Sequence, residues 1–132
     1  MPAWLFQMRS RRAFSIERIR PCFKVWLCND AADGLFGGGK WRLLDAIHRT
    51  GSLRAAAESL GISYRKSWGD LRKAVNGLGI KFLERRRGGS DGGETRLTET
   101  GKRWLLEYGR FQKKVEQAVA RAFEAWVERI RR

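Results

Sequence analysis

GSLRAAAESLGISYRKSWGDLRKAVNGL, residues 51–78, reads as two short helices joined by a tight turn. Ser52 has the position and chemistry of an N-cap, and Leu53, Ala56, Ala57 and Leu60 recur at helical spacing. Gly61 suits the end of the first helix, because the left-handed conformation costs a residue bearing a Cβ and is open to glycine. Ser63 then caps a second helix, whose apolar side is Trp68, Leu71, Ala74 or Val75, and Leu78. Ala55–Ala57 carry almost no side chain, so another helix can cross close by. A pair of this size, small at the crossing and turning on a glycine, is the helix-turn-helix pattern. The opening turns of its second helix hold Tyr64, Arg65, Lys66 and Ser67. These are hydrogen-bond donors, placed where a helix start meets phosphates and base edges. The stretch predicts a reader of DNA.

Upstream, residues 1–18 are basic and without a clear period, which predicts a frayed arm. Arg9, Arg11 and Arg12 are the residues of that arm suited to a minor groove, although a solvated tail is the default. From Ile19 to Cys28 the pattern becomes extended, with Phe23, Val25 and Leu27 alternating with Lys24, Trp26 and Cys28. Asn29–Gly34 is rich in turn formers, and Leu35–Phe36 suit a brief returning strand. Gly37–Gly39 reads as a flexible joint: GGGKWR lacks the outer glycine spacing and the Ser or Thr of a phosphate loop. A first helix over about Lys40–Arg49 buries Trp41, Leu44 and Ile47, with Leu43 at its edge. His48 on this helix is expected to pack or to face solvent.

Downstream, Phe82–Arg87 and Glu94–Leu97 bracket GGSDGG and predict a β-hairpin wing anchored by Phe82, Leu83 and Leu97. Arg85, Arg86, Arg87 and Arg96 flank the loop beside the expected DNA-facing helix, where they suit phosphate or minor-groove contact. Thr98 caps a last helix, and Glu99 complements its positive end. From Trp104 the apolar positions run through 108, 111, 115, 118 or 119, 122 or 123, 126 and 130. That stripe covers about 45 Å of helix at 1.5 Å per residue, more than one small winged domain can cover. Phe111, Val115, Val119, Phe123, Trp126 and Ile130 are therefore expected at a dimer interface. The alternative is a tail that folds back on its own domain.

The 132 residues fit one domain with an appended element, and a net charge of +14 implies a polyanionic partner. Cys22, Cys28 and the single histidine do not complete a zinc site. Six residues of strand hold the two thiols too far apart for a disulfide, so partly buried free thiols in a cytoplasmic protein are expected. No run reaches the roughly 18–20 apolar residues of a membrane span. The opening MPAWLFQMRSRR has no core suited to a signal peptide, and Met8 is an alternative start. With no nucleophile elbow and no acidic pair placed for acid–base work, an enzyme is not expected, and neither is a cofactor.

In order, strand, helix, helix-turn-helix, wing and long helix give a mainly α fold with a small β component. It is a winged helix-turn-helix over residues 19–103, after an arm at 1–18, with a long helix continuing over 104–132 for dimerisation. GSLRAAAESLGIS, LGIKFLERR and RLTETG resemble the DNA-binding region of LysR-type regulators. GISYRKSW, the double-glycine wing of ERRRGGSDGGETRLTETG and the strand before the first helix resemble more closely the molybdate-responsive ModE regulators. The resemblance covers about Lys24 to Phe111. It implies a homodimer on an inverted-repeat operator in double-stranded DNA. The molybdate-binding domains of that family are not matched here, and no oxyanion pocket is carried over.

On this reading Arg65 and Lys66 face base edges, because Arg or Lys opposite guanine is the commonest specific contact. Ser63, Tyr64 and Ser67 supply phosphate or base hydrogen bonds, Arg54, Arg72 and Lys73 hold the backbone, and Trp68 and Leu71 belong to the core. A protein that packages DNA or RNA without sequence preference is the second reading; it explains the charge but does not require Gly61 or the small-residue crossing.

Overall fold

The computed structural model describes residues 16–86 and 94–132. Arg9, Arg11 and Arg12 of the expected arm, Arg87, and the expected GGSDGG loop lie outside them. Contacts divide the described residues into two compact units, 24–114 and 16–23 with 115–132.

In the larger unit, β1 (Trp26–Cys28) pairs antiparallel with β2 (Gly34–Gly37), Leu27 opposite Phe36. Asn29 builds the turn: its Oδ1 accepts from the N–H groups of Ala31 and Asp33 at 3.0 and 2.9 Å. The strand expected from Ile19 is shorter than its alternation suggested. β2 offers only four residues before the helix begins, so the chain before Trp26 has no ladder to join.

The three glycines are not a joint. Gly37 ends β2 and caps helix α1 (Gly38–Thr50), and Gly38 and Gly39 are already in its first turn. Helix α1 buries Leu43, Leu44, Ala46 and Ile47. Leu43, expected at the edge, is in the core. Trp41 is half-buried and ties α1 to the last helix by donating its indole N–H to the Leu105 carbonyl at 2.9 Å. His48 is exposed.

Helix α2 (Leu53–Ser59) and helix α3 (Tyr64–Leu78) form the helix-turn-helix. Ser52 accepts from the Ala55 N–H, Ser63 from the Lys66 N–H, as N-caps do. Gly61 sits at φ +67°, and Ile62 donates back to the Ala57 carbonyl at 3.0 Å. Ala56 and Ala57 are fully buried at the crossing.

The wing pairs β3 (Leu83–Arg86) with β4 (Glu94–Leu97), Leu83 opposite Leu97 and Arg86 opposite Glu94. It is fastened at both ends: the Thr95 N–H donates to the Gly51 carbonyl, and Thr98 donates its N–H to the Phe82 carbonyl, each at 2.9 Å. Thr98 also caps helix α4 (Glu99–Arg131), its Oγ1 accepting from the Gly101 N–H at 2.9 Å and donating to the Lys81 carbonyl. A Cβ on Gly101 would run into the Phe82 carbonyl, so only glycine lets the helix pass here. The core closes with Phe36, whose ring lies 5.9 Å from Phe82, 5.4 Å from Trp104 and 4.8 Å from Tyr108. The architecture is a winged helix-turn-helix followed by a long helix.

In the smaller unit, Ile16–Arg18 form a short 3₁₀ turn, so these three residues depart from the structureless arm expected. Arg131 approaches Glu17 at 3.6 Å. Phe123 and Trp126 stack at 5.7 Å, while Trp126 and Ile130 remain 42% and 57% exposed.

Cys22 and Cys28 are free but exposed, not partly buried: Cys22 lies outside β1 and Cys28 is its last residue. No described helix is long and apolar enough to cross a membrane. No group of His, Cys, Asp or Glu among the described residues is placed to hold a metal.

Truncating Phe36 to Ala should remove about 3–5 kcal/mol of stability, since it deletes a fully buried ring and three aromatic contacts. A chemical-denaturation midpoint that barely moves would show that the closure lies elsewhere.

Candidate nucleic-acid interface

Helix α3 buries Ser67, Leu71 and Ala74. At 100° per residue, the side opposite this stripe is Arg65, Gly69, Arg72, Lys73 and Asn76, and all five are exposed. The burial pattern thus aims a cationic face outward. Lys66 lies at one border of it, where its Nζ bonds Asp70 at 2.8 Å. An exposed i,i+4 pair is worth about 0.3–0.5 kcal/mol, so a stronger anion can draw Lys66 away.

Tyr64 and Trp68 form the other border. The Tyr64 hydroxyl accepts from the Trp68 indole N–H at 2.8 Å and from the Arg85 guanidinium of β3 at 3.0 Å. The Arg54 guanidinium of α2 lies 4.7 Å from the Tyr64 ring centroid, and Arg85 lies 5.7 Å from that of Trp68. One phenol therefore links α2, α3 and the wing. The Trp68 N–H, and after it the Arg85 guanidinium, hold the Tyr64 phenol below the ordinary tyrosine range. With both acceptor positions engaged, the hydroxyl proton is left to donate outward.

Two assignments made from sequence are overturned here. Trp68 is 44% exposed and is not a core residue: it lies toward the flank of the buried stripe, held by Tyr64 and covered by Arg85. Ser67 is fully buried and donates back to the Tyr64 carbonyl at 2.7 Å, so it cannot reach DNA. Leu71 is in the core, as expected. Of the other expected contacts, Ser63 is exposed and serves as the cap, and Arg86 is exposed at the end of β3. Arg96 pairs with Glu94 at 3.1 Å. Lys40, not singled out from sequence, donates to the Leu35 carbonyl at 2.9 Å, and burial draws its pKa down. Sequence reading also missed the Tyr64–Trp68–Arg85 link, whose only trace is the i,i+4 spacing of the two aromatics.

The six residues expected at a dimer interface lie on α4. Val115, Val119 and Phe123 are half-buried; Phe111, Trp126 and Ile130 are exposed.

The model of the bacterial regulatory helix-turn-helix protein, lysR family, matches residues 39–102, from the first turn of α1 through the wing into the first turn of α4. This segment is a LysR-type helix-turn-helix domain. The molybdenum transport protein ModE of Herbaspirillum seropedicae is 35% identical over 88 residues, covering 67% of this chain and 32% of that protein. The transcriptional regulator ModE of Haemophilus influenzae is 37% identical over 78 residues, 58% of this chain and 30% of its own length. The molybdenum-pterin-binding protein MopA of Rhodobacter capsulatus is 36% identical over 73 residues, 55% of this chain and 28% of its own length. The chain thus spans less than a third of the length of each of these relatives. The likeness to ModE-type proteins expected from GISYRKSW and the double-glycine wing is borne out, and within it the LysR-type domain carries the cationic face.

The two tyrosines of the chain should titrate separately. Tyr108 is pushed up by burial, whereas Tyr64 is pulled down by its donors. The Tyr64 phenolate is the form favoured by folding, so its stabilising effect is absent at neutral pH and appears as pH rises through the tyrosine range. Ultraviolet titration should resolve two phenolate steps, and Tyr64→Phe should abolish the earlier one. Loss of the later step instead would reverse the assignment.

Proposed function

We propose that the protein is a sequence-specific DNA-binding transcriptional regulator of ModE type, acting as a homodimer on an inverted-repeat operator. The observation that carries this reading is the outward face of α3, cationic and bordered by a wing arginine bonded to the same helix. In the proposed complex, α3 enters the major groove with Arg65 and Lys66 toward base edges and Arg72 and Lys73 toward phosphates. Tyr64 donates its free hydroxyl proton to the DNA, Arg54 and Arg85 flank it, and Arg86 with Arg96 follows the backbone along the wing.

Dimerisation through the α4 stripe would present the two α3 helices about one DNA turn, roughly 34 Å, apart. The support is physical: large apolar side chains left exposed along one helix face are what a second copy covers. A link to molybdenum or related oxyanions rests on the names of the relatives alone. The matched residues contribute the DNA-reading part of such a system, and no molybdate site is proposed on them.

Selection of bound duplexes from a random pool should return a palindromic site, and repeating it with molybdate or tungstate tests the metabolic link. Against excess random DNA a specific reader keeps its duplex; a packaging protein releases it, and that result would end the proposal. Arg65→Ala should weaken the selected site by about 1–3 kcal/mol and relax one base position. Arg86→Ala should weaken all sequences alike and lower the salt slope by about one unit. Replacing Trp126 and Ile130 together with Ala should shift the protein toward monomer in sedimentation.

A further inference from the structure

We infer that Gly69 is the point of closest approach between the protein and the duplex, a notch in α3 that lets the helix backbone seat against DNA. The inference rests on the DNA-binding reading above and says which atom of the interface sets its depth.

Three helical glycines in this domain have packing reasons, while Gly38 meets only ordinary contacts, at 3.5 Å or more. A Cβ on Gly77 would collide with Leu35, one on Gly101 with the Phe82 carbonyl, and one on Gly109 would press on the Trp41 ring at 3.2 Å. No atom lies within 4 Å of the Cβ position of Gly39 or Gly69. Gly39 stands in the first turn of α1, where a poor helix former matters little. Gly69 stands inside α3, five residues past its start and nine before its end. Its φ is not positive, so the backbone does not demand glycine. There glycine weakens the helix relative to alanine and gains nothing from the protein's own packing.

Its surroundings supply the missing reason. Neighbours on a helix surface stand three and four residues away. For Gly69 these are Lys66, Arg65, Arg72 and Lys73: four cations, all exposed, around a position with no side chain. A polyanion drawn to the four meets bare backbone between them. Any Cβ there would hold the duplex away and leave the cations reaching across a wider gap. Glycine is the residue that permits close approach of a backbone to its ligand.

The test has two readouts of opposite sign on the full chain. Gly69→Ala should raise the melting temperature by roughly 2–8 °C, through helix propensity alone. The same variant should bind the selected duplex about tenfold more weakly, the scale on which one extra methyl is felt in a close-packed contact. Gly69→Gln, longer but a good helix former, should bind more weakly still. A lower melting temperature for Gly69→Ala would mean that glycine serves the fold and would overturn the inference. Binding by both variants as tight as by the unaltered protein, while Arg65→Ala weakens it, would overturn this inference and leave the DNA reading standing. Failure of the unaltered protein to retain any duplex would overturn both.

Discussion

The ring of Phe36 is the contact on which the rest of the domain depends. It comes from a hairpin of only three residue pairs, yet it meets Phe82 at the root of the wing and Trp104 and Tyr108 on the long helix. A two-stranded hairpin is marginal in water unless one side packs on something else. Here both hairpins are stabilised in that way, the first by lending its phenylalanine to the core and the second by resting Phe82 and Leu97 there. The helix-turn-helix then needs no support from its outer side. Leu71 and Ala74 anchor α3 from beneath, and its opposite face is free to carry charge.

That freedom is used unevenly. Some cations have internal duties: Lys40 holds a carbonyl and Arg85 a phenol. Others on α3, namely Arg65, Arg72 and Lys73, are exposed. The division separates positive charge that fixes the shape of the surface from positive charge available to a partner. Tyr64 is the joint between the two groups, since it is touched by residues of α2, α3 and the wing. An incoming strand therefore meets a helix and a hairpin already fixed relative to one another, and less ordering entropy is lost on contact.

Much of this was legible in the residues. The caps Ser52, Ser63 and Thr98, the glycine at 61, the two wing strands and the returning strand all follow from local chemistry, and the structure has each of them. What escaped was set by distant neighbours. Leu43 is buried because the wing and the hairpin close over α1, which no helical wheel of α1 alone reveals. The triple glycine looked like slack, but capping and the first helical turn absorbed it. Trp68 shares a helical stripe with Leu71, and apolar spacing assigned it to the core. An arginine seventeen residues downstream gave its ring another place to rest. The polar hydroxyl of Ser67 suggests a surface donor, although a serine bonded to a carbonyl of its own helix is easily buried.

Trp104 bears on the margin of this fold. Its indole nitrogen is sealed from solvent without an acceptor among the described residues, while its ring packs edge-on against Phe36 and Phe82. A stranded donor of this kind costs about 1–3 kcal/mol, comparable with what the edge-on contacts return. The most tightly knit part of the molecule therefore stands below its attainable ceiling, with headroom open to a ring of similar area that lacks a polar atom.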